Sequence, residues 1–139
     1  MNALVDTSVW SLALRRKTED LSATEKGIVL ELDDLVREGR VRIIGLIRQE
    51  LLSGVRNAGQ YEKLRTSLRV FLDEVVSTSD HEAAAQANNH CRTKGIAMTT
   101  VDALICSIAL SRDWSVFTSD PDFKHYAKVL TIELHSPRE

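Results

Sequence analysis

Short apolar runs, largely β-branched, recur along this chain, and no tight turn links one run to the next. They are Ala3-Leu4-Val5, Val41 to Ile44, Ser115 to Thr118 and Val129 to Leu134, with a weaker run at Val75-Val76. The stretches between them carry helical signatures. Thr7 to Leu14 reads as a short helix. Ser22-x-x-Glu25 is a capping box that leads into Ile28, Leu32, Leu35 and Val36, and Gly39 closes that helix. Leu46 to Ser53 is helical in pattern and stops at Gly54. Tyr61, Leu64, Leu68, Phe71 and Leu72 mark another amphipathic helix. Ser79-x-x-Glu82 reads as a second capping box, opening an Ala-rich helix that ends at Gly95. Thr99 or Thr100 can cap the next helix, whose stripe is Val101, Leu104, Ile105, Ile108 and Ala109. Strands spaced by helices imply βαβ units and a parallel sheet. The expected fold class is α/β: three layers, helix-rich, one continuous domain over residues 1–139.

Composition narrows the function. Hydrophobic residues make up 43% and charged ones 27%, with 6 Gly and 2 Pro, which excludes disordered and collagen-like classes. No apolar run approaches the ~18 residues of a membrane span, and Asp6 interrupts the first run before a signal-peptide core could form. Cys91 and Cys106 share no metal or redox spacing and read as reduced, buried thiols, so a cytoplasmic location is expected. Basic residues number 18 against 20 acidic, a net charge of −2. That is not the basic balance of many nucleic-acid binders. Contact with phosphate must then come from a local patch or from metal ions.

The informative feature is where four acids fall. Asp6 directly follows the first apolar run, and Asp120 comes just after the third. In open α/β sheets ligands bind beyond the carboxyl ends of the strands. Capping explains both positions equally well, and the two roles are compatible. Glu50 lies three residues after Ile47 and one before Leu51, so the pattern puts it in the middle of an apolar face. An unpaired carboxylate buried there costs several kcal/mol unless a neighbour such as Arg48 pairs with it. Asp102 sits in the first turn of its helix, where the macrodipole favours an acid, yet Ile105, Cys106 and Ala109 share its face. Were the four to meet, each pair at 4 Å would cost ~4 kcal/mol at an effective dielectric near 20. A divalent cation removes that cost, and an all-oxygen donor set suits Mg²⁺ or Mn²⁺. His81, His90, His125 and His135 show no ligand or triad spacing and read as surface or capping residues.

Four segments in order then carry a resemblance: Leu4-Val5-Asp6-Thr7-Ser8-Val9-Trp10, Glu50-Leu51-Leu52-x-Gly54, Val101-Asp102-Ala103-Leu104-Ile105-Cys106-Ser107-Ile108-Ala109, and Phe117-Thr118-Ser119-Asp120-Pro121-Asp122-Phe123. Together they resemble the PIN-domain ribonucleases, and among these the VapC-type toxins of bacterial toxin–antitoxin pairs. The resemblance implies a PIN-like α/β/α sandwich with a small central parallel sheet. It implies that Asp6, Glu50, Asp102 and Asp120 form a catalytic, metal-binding acidic cluster, with Asp6 and Asp102 foremost as direct ligands. Ser8 and Thr118 match supporting polar positions, and Asp122 matches an accessory acid. The implied reaction is Mg²⁺- or Mn²⁺-dependent endonucleolytic cleavage of RNA with one or two ions. The implied partners are a second copy of the chain and a cognate antitoxin.

From the residues themselves, Arg15 and Arg16 follow the first helix and are candidate phosphate contacts. Trp10, Leu14, Leu51, Leu52 and the helix from Tyr61 to Leu72 offer apolar area for the core, an antitoxin groove or a homodimer face. Two alternatives stand beside the nuclease. One is a catalytically inactive PIN-like module that binds RNA or protein. The other is a haloacid-dehalogenase-like phosphatase, which shares an Asp after its first strand but resembles Asp-x-Asp where this chain has Asp6-Thr7-Ser8.

Overall fold

The first apolar run forms the central strand, β1 (Ala3–Val5), with all three side chains fully buried. A strand covered on both faces has no reason to alternate polar with apolar residues. The computed structural model describes residues 1–138. It places β2 (Val41–Arg42) on one side of β1 and β3 (Ser115–Phe117) on the other, both parallel to it. Val5 lies opposite Phe117, and the ladder runs one residue further through the Asp6 N–H, which donates to the Phe117 carbonyl at 2.9 Å. That register sets Asp6 beside Thr118.

Seven α-helices surround this sheet among the described residues: α1 (Thr7–Leu14), α2 (Ala23–Arg37), α3 (Gly45–Leu52), α4 (Ala58–Leu68), α5 (Thr78–Thr93), α6 (Thr100–Arg112) and α7 (Asp122–Ala127). On one side α1 packs on α2 and α3, while α5 pairs with α6, which also touches β1 and β3. The α/β class with a small parallel sheet between helices is the one observed. Every residue from Ala103 to Ala109 is buried. Helix α6 is thus enclosed on all sides, so its Asp102 enters the interior from an apolar rod. Among the described residues no helix is long and apolar enough to cross a membrane. Both cysteines are free and buried, and burial raises both thiols above their ordinary range.

Several elements differ from the sequence expectation. Val129–Leu134 is not a strand: turn bonds from Leu130 N–H to Tyr126 O and from Ile132 N–H to Leu130 O hold it in a bend. The sheet is reached only around Leu134, which bridges Val116: Val116 N–H donates to the Glu133 carbonyl and His135 N–H to the Val116 carbonyl, both at 2.8 Å. Val75-Val76 forms no strand either, and the contact to the sheet comes earlier, at Asp73 opposite Ile43. Helix α4 stops at Leu68, because the Arg48 guanidinium takes the Leu68 and Phe71 carbonyls at 2.9 and 2.5 Å and turns the chain. Phe71 instead packs edge-on against Trp10, at 5.1 Å between ring centres. The second capping box is Ser77 with Asp80, not Ser79 with Glu82. His135 is no surface residue: it contacts the buried Glu31 carboxylate at 2.5 Å, and Arg138 reaches the same group at 2.8 Å.

Candidate active site

The carboxyl rim of the sheet is built on Asp6. Its side chain caps α1, accepting from Ser8 N–H at 3.4 Å. Two hydroxyls also donate to its Oδ2, those of Ser8 and Thr118, each at 2.8 Å. The carboxylate can only accept, so both hydroxyl protons point to it; Ser8 Oγ and Thr118 Oγ1 in turn accept from Ser119 N–H and Asp120 N–H, both at 3.0 Å, and lie 3.2 Å apart. Among the described residues no donor reaches the other oxygen, Oδ1, and no buried polar side-chain atom is without a partner. Oδ1 therefore keeps its lone pairs for something outside the protein's own network.

Glu50 corrects the sequence reading. It is exposed: the fully buried stripe of α3 is Ile47 and Leu51, and Glu50 falls on its flank. Arg48 does not pair with it: Arg48 turns to Asp73 Oδ1 at 3.0 Å and to the two carbonyls named above. Glu50 Oε1 instead accepts from Thr7 Oγ1 at 2.8 Å, which ties the acid to the residue next to Asp6. Sequence reasoning missed Thr7, whose one signal is its place between Asp6 and Ser8.

Asp102 enters from the first turn of α6. Its N–H is capped by Thr99 Oγ1 at 3.0 Å, and its Oδ2 accepts from the Tyr126 hydroxyl at 2.7 Å. Burial is the main force raising its carboxyl above the ordinary range, and the charges of Asp6 and Asp120 add to it. The Tyr126 and Thr99 bonds oppose the shift without cancelling it. The Tyr126 phenol is itself pushed well above its usual value, by burial and then by its carboxylate partner. Tyr126 was also missed. Its spacing from Phe123 reads as core, and only the rule that a buried tyrosine hydroxyl needs a partner could have flagged it.

Asp120 accepts from Asp122 N–H at 2.9 Å and so opens α7 while facing the same rim. Asp122 is exposed and forms no side-chain bond to the four acids. Arg15 and Arg16 are exposed at the far end of α1, about 12 Å of helix from Asp6, and Arg16 lies 3.9 Å from Glu25.

The four acids thus come from four separate segments to one end of the sheet, and none has a lysine, arginine or histidine partner among the described residues. They do not form a closed cage: among these residues no three acidic, histidine or cysteine side chains stand close enough to hold an ion as they are. Their chemistry nonetheless fits one. The donors are all oxygen, their charge is uncompensated, and Asp102 already feels the field of its neighbours. A surface hollow of ≈ 490 Å³ lies away from them, lined by Val36, Arg42, Leu72 and Asp73 and by none of the four acids.

No curated protein sequence matches the chain. Among solved structures, FitAcB from Neisseria gonorrhoeae superposes with a TM-score of 0.76 at 21% identity, covering 97% of each chain. VapBC2 from Rickettsia felis, bound to a DNA fragment from its promoter, gives 0.70 at 19%, covering 97% of this chain and 98% of that one. A toxin–antitoxin complex from Klebsiella pneumoniae gives 0.68 at 16%, covering 99% of both. At these identities the likeness is one of fold. The PIN domain profile matches residues 3–129, from the first residue of β1 to beyond the last helix. Among the described residues no strand or helix lies outside that match, and the chain belongs to the PIN-domain family.

Proposed function

We propose that residues 1–139 are a single nuclease domain, a divalent-metal-dependent endoribonuclease of the VapC kind that serves as the toxin of a toxin–antitoxin pair. The observation that carries this reading is the set of acids on the carboxyl rim, Asp6, Glu50, Asp102 and Asp120, left without a cationic partner. The structural neighbours support it in kind, since one is a toxin–antitoxin complex and another is VapBC2 on promoter DNA.

These four acids are the groups that hold one or two Mg²⁺ or Mn²⁺ ions. When bound, such an ion supplies a nucleophilic water near neutral pH and positive charge beside the phosphate. The protein's own residues do the rest. Ser8 and Thr118 hold Asp6 by Oδ2 and leave Oδ1 for ligation. Thr7 fixes one oxygen of the exposed Glu50 and would leave the other for ligation. Asp122 adds negative charge at the approach. Arg15 and Arg16 hold RNA phosphates, which gives affinity without sequence readout.

A cognate antitoxin and a second copy of the chain are the protein partners, and the cytoplasm is the compartment. Of the apolar residues the sequence offered for core or partner, Trp10 and Leu51 lie in the core, while Leu72 stands 89% exposed beside Val70 and Val75 at 76 and 80%, the apolar surface left for a partner.

The test is cleavage of RNA by the wild type, Asp6→Asn and Asp102→Asn, with Mg²⁺ and with a chelator. Cleavage is expected only for the wild type with metal. Activity that survives chelation, or survives both substitutions, overturns the reading.

A further inference from the structure

We propose that Tyr126 is a positioning residue: its hydroxyl holds the Asp102 carboxylate in the cleft and away from the helix cap that this acid would otherwise close. The proposal rests on the metal-centre reading above.

Three helices of this chain begin with the same spacing, a Ser or Thr cap followed three residues later by an acid: Ser22 with Glu25, Ser77 with Asp80, and Thr99 with Asp102. In the first two the acid returns a bond to the cap residue. Ser22 N–H donates to Glu25 Oε1, and Ser77 N–H donates to Asp80 Oδ2, both at 2.9 Å. That reciprocal bond is the local default for such a pair, and Asp80 shows that an aspartate is long enough to make it. At the third helix only half the box forms. Thr99 Oγ1 accepts from Asp102 N–H, but Asp102 Oδ2 accepts from Tyr126 instead of from Thr99 N–H.

Among the described residues the phenol makes the close side-chain bond to the Asp102 carboxylate, at 2.7 Å, with the Thr99 hydroxyl as a weaker neighbour. The ring cannot swing away: Tyr126 is 2% exposed and packs edge-on against Phe123 at 5.1 Å. A fixed donor on one oxygen sets the rotamer and leaves the other oxygen to ligate, as hydrogen-bond partners of metal ligands do elsewhere.

Tyr126→Phe keeps the ring and its packing and removes only the donor. The carboxylate then closes onto Thr99 N–H, as in the other two boxes. Binding of Mn²⁺ alone to the full chain is measured by calorimetry for the wild type, Tyr126→Phe and Asp102→Asn, with melting temperature and amide exchange at Thr99 recorded in metal-free buffer. We expect the Tyr126→Phe Kd to rise about 10-fold, a larger loss for Asp102→Asn, and slower exchange at Thr99 in Tyr126→Phe. A Tyr126→Phe Kd equal to wild type, while Asp102→Asn is weakened, overturns the proposal alone. So does a lowered melting temperature with unchanged Kd, the signature of a merely structural tyrosine. Wild type and Asp102→Asn behaving alike toward Mn²⁺ overturns the metal-centre reading and the proposal with it.

Discussion

Thr118 shows how much one hydroxyl can carry. It passes a hydrogen bond from Asp120 N–H to Asp6 Oδ2 and so couples two of the four acids through a single oxygen. Thr118→Val keeps the shape and removes both bonds. The Asp120 N–H then lacks its partner, which costs about 1–3 kcal/mol in denaturant unfolding. Cleavage of RNA should fall about 10–100-fold, because Asp6 loses one of the groups that orient it. A variant as stable and active as wild type would contradict the relay. At this scale the sequence was legible for Asp6, whose place after a buried run implies its position. It was misleading for Glu50: spacing locates a residue on a helix, but which flank is buried depends on what packs against it.

Helix termini were the best-read elements, because capping is local chemistry. Helix α1 and the box of α2 lie where the pattern put them, and Gly39 takes a positive φ of 68° just past the end of α2. The box of α5 was misplaced by two residues. Ser77/Asp80 and Ser79/Glu82 satisfy the same rule, and the choice is made by a residue 32 positions away. Arg112, at the end of α6, grips both oxygens of Asp80, at 2.5 and 2.9 Å, and takes the Val75 carbonyl at 2.9 Å. This clamp joins the start of α5 to the end of α6 and holds the Asp80 carboxyl well below the usual carboxylate range, through Arg112 first and the Ser77 N–H next. A depressed folded-state pKa contributes stability above the ordinary value, about 3.9, and loses it as pH falls below that. Arg112→Met should therefore cost about 3 kcal/mol at neutral pH, toward the low end for a broken buried pair because Arg112 keeps some exposure. It should also flatten the acid limb of the stability curve. Parallel acid limbs in the two proteins would show that the pair is not what titrates.

Across the whole molecule the parallel sheet gathers at one end acids that are remote in sequence, and it does so at an electrostatic cost. Asp102 is the clearest sign, its carboxyl raised by burial and then by Asp6 and Asp120. A raised folded-state pKa stabilises the fold below about pH 4, and that contribution is lost as pH rises through the raised value. In metal-free buffer near neutrality, Asp102→Asn should accordingly melt a few degrees above wild type. Mn²⁺ at 100 times its Kd should add about 2.7 kcal/mol to the wild type alone. Equal melting temperatures without metal, or equal gains with it, would mean that the acids do not share a site. The haloacid dehalogenase alternative lapses with the family match. By itself the sequence determined the α/β class, the first strand, most helix ends and the order of the acidic motifs, because each is written in neighbours a few residues apart. Only the tertiary structure decided that Val129–Leu134 bends instead of pairing, that Glu50 stays in water, that Glu31 is buried under His135 and Arg138, and that Asp102 answers to Tyr126. Those outcomes turn on which distant donor or apolar surface arrives first at a group with several acceptable partners, and sequence spacing carries no record of that competition.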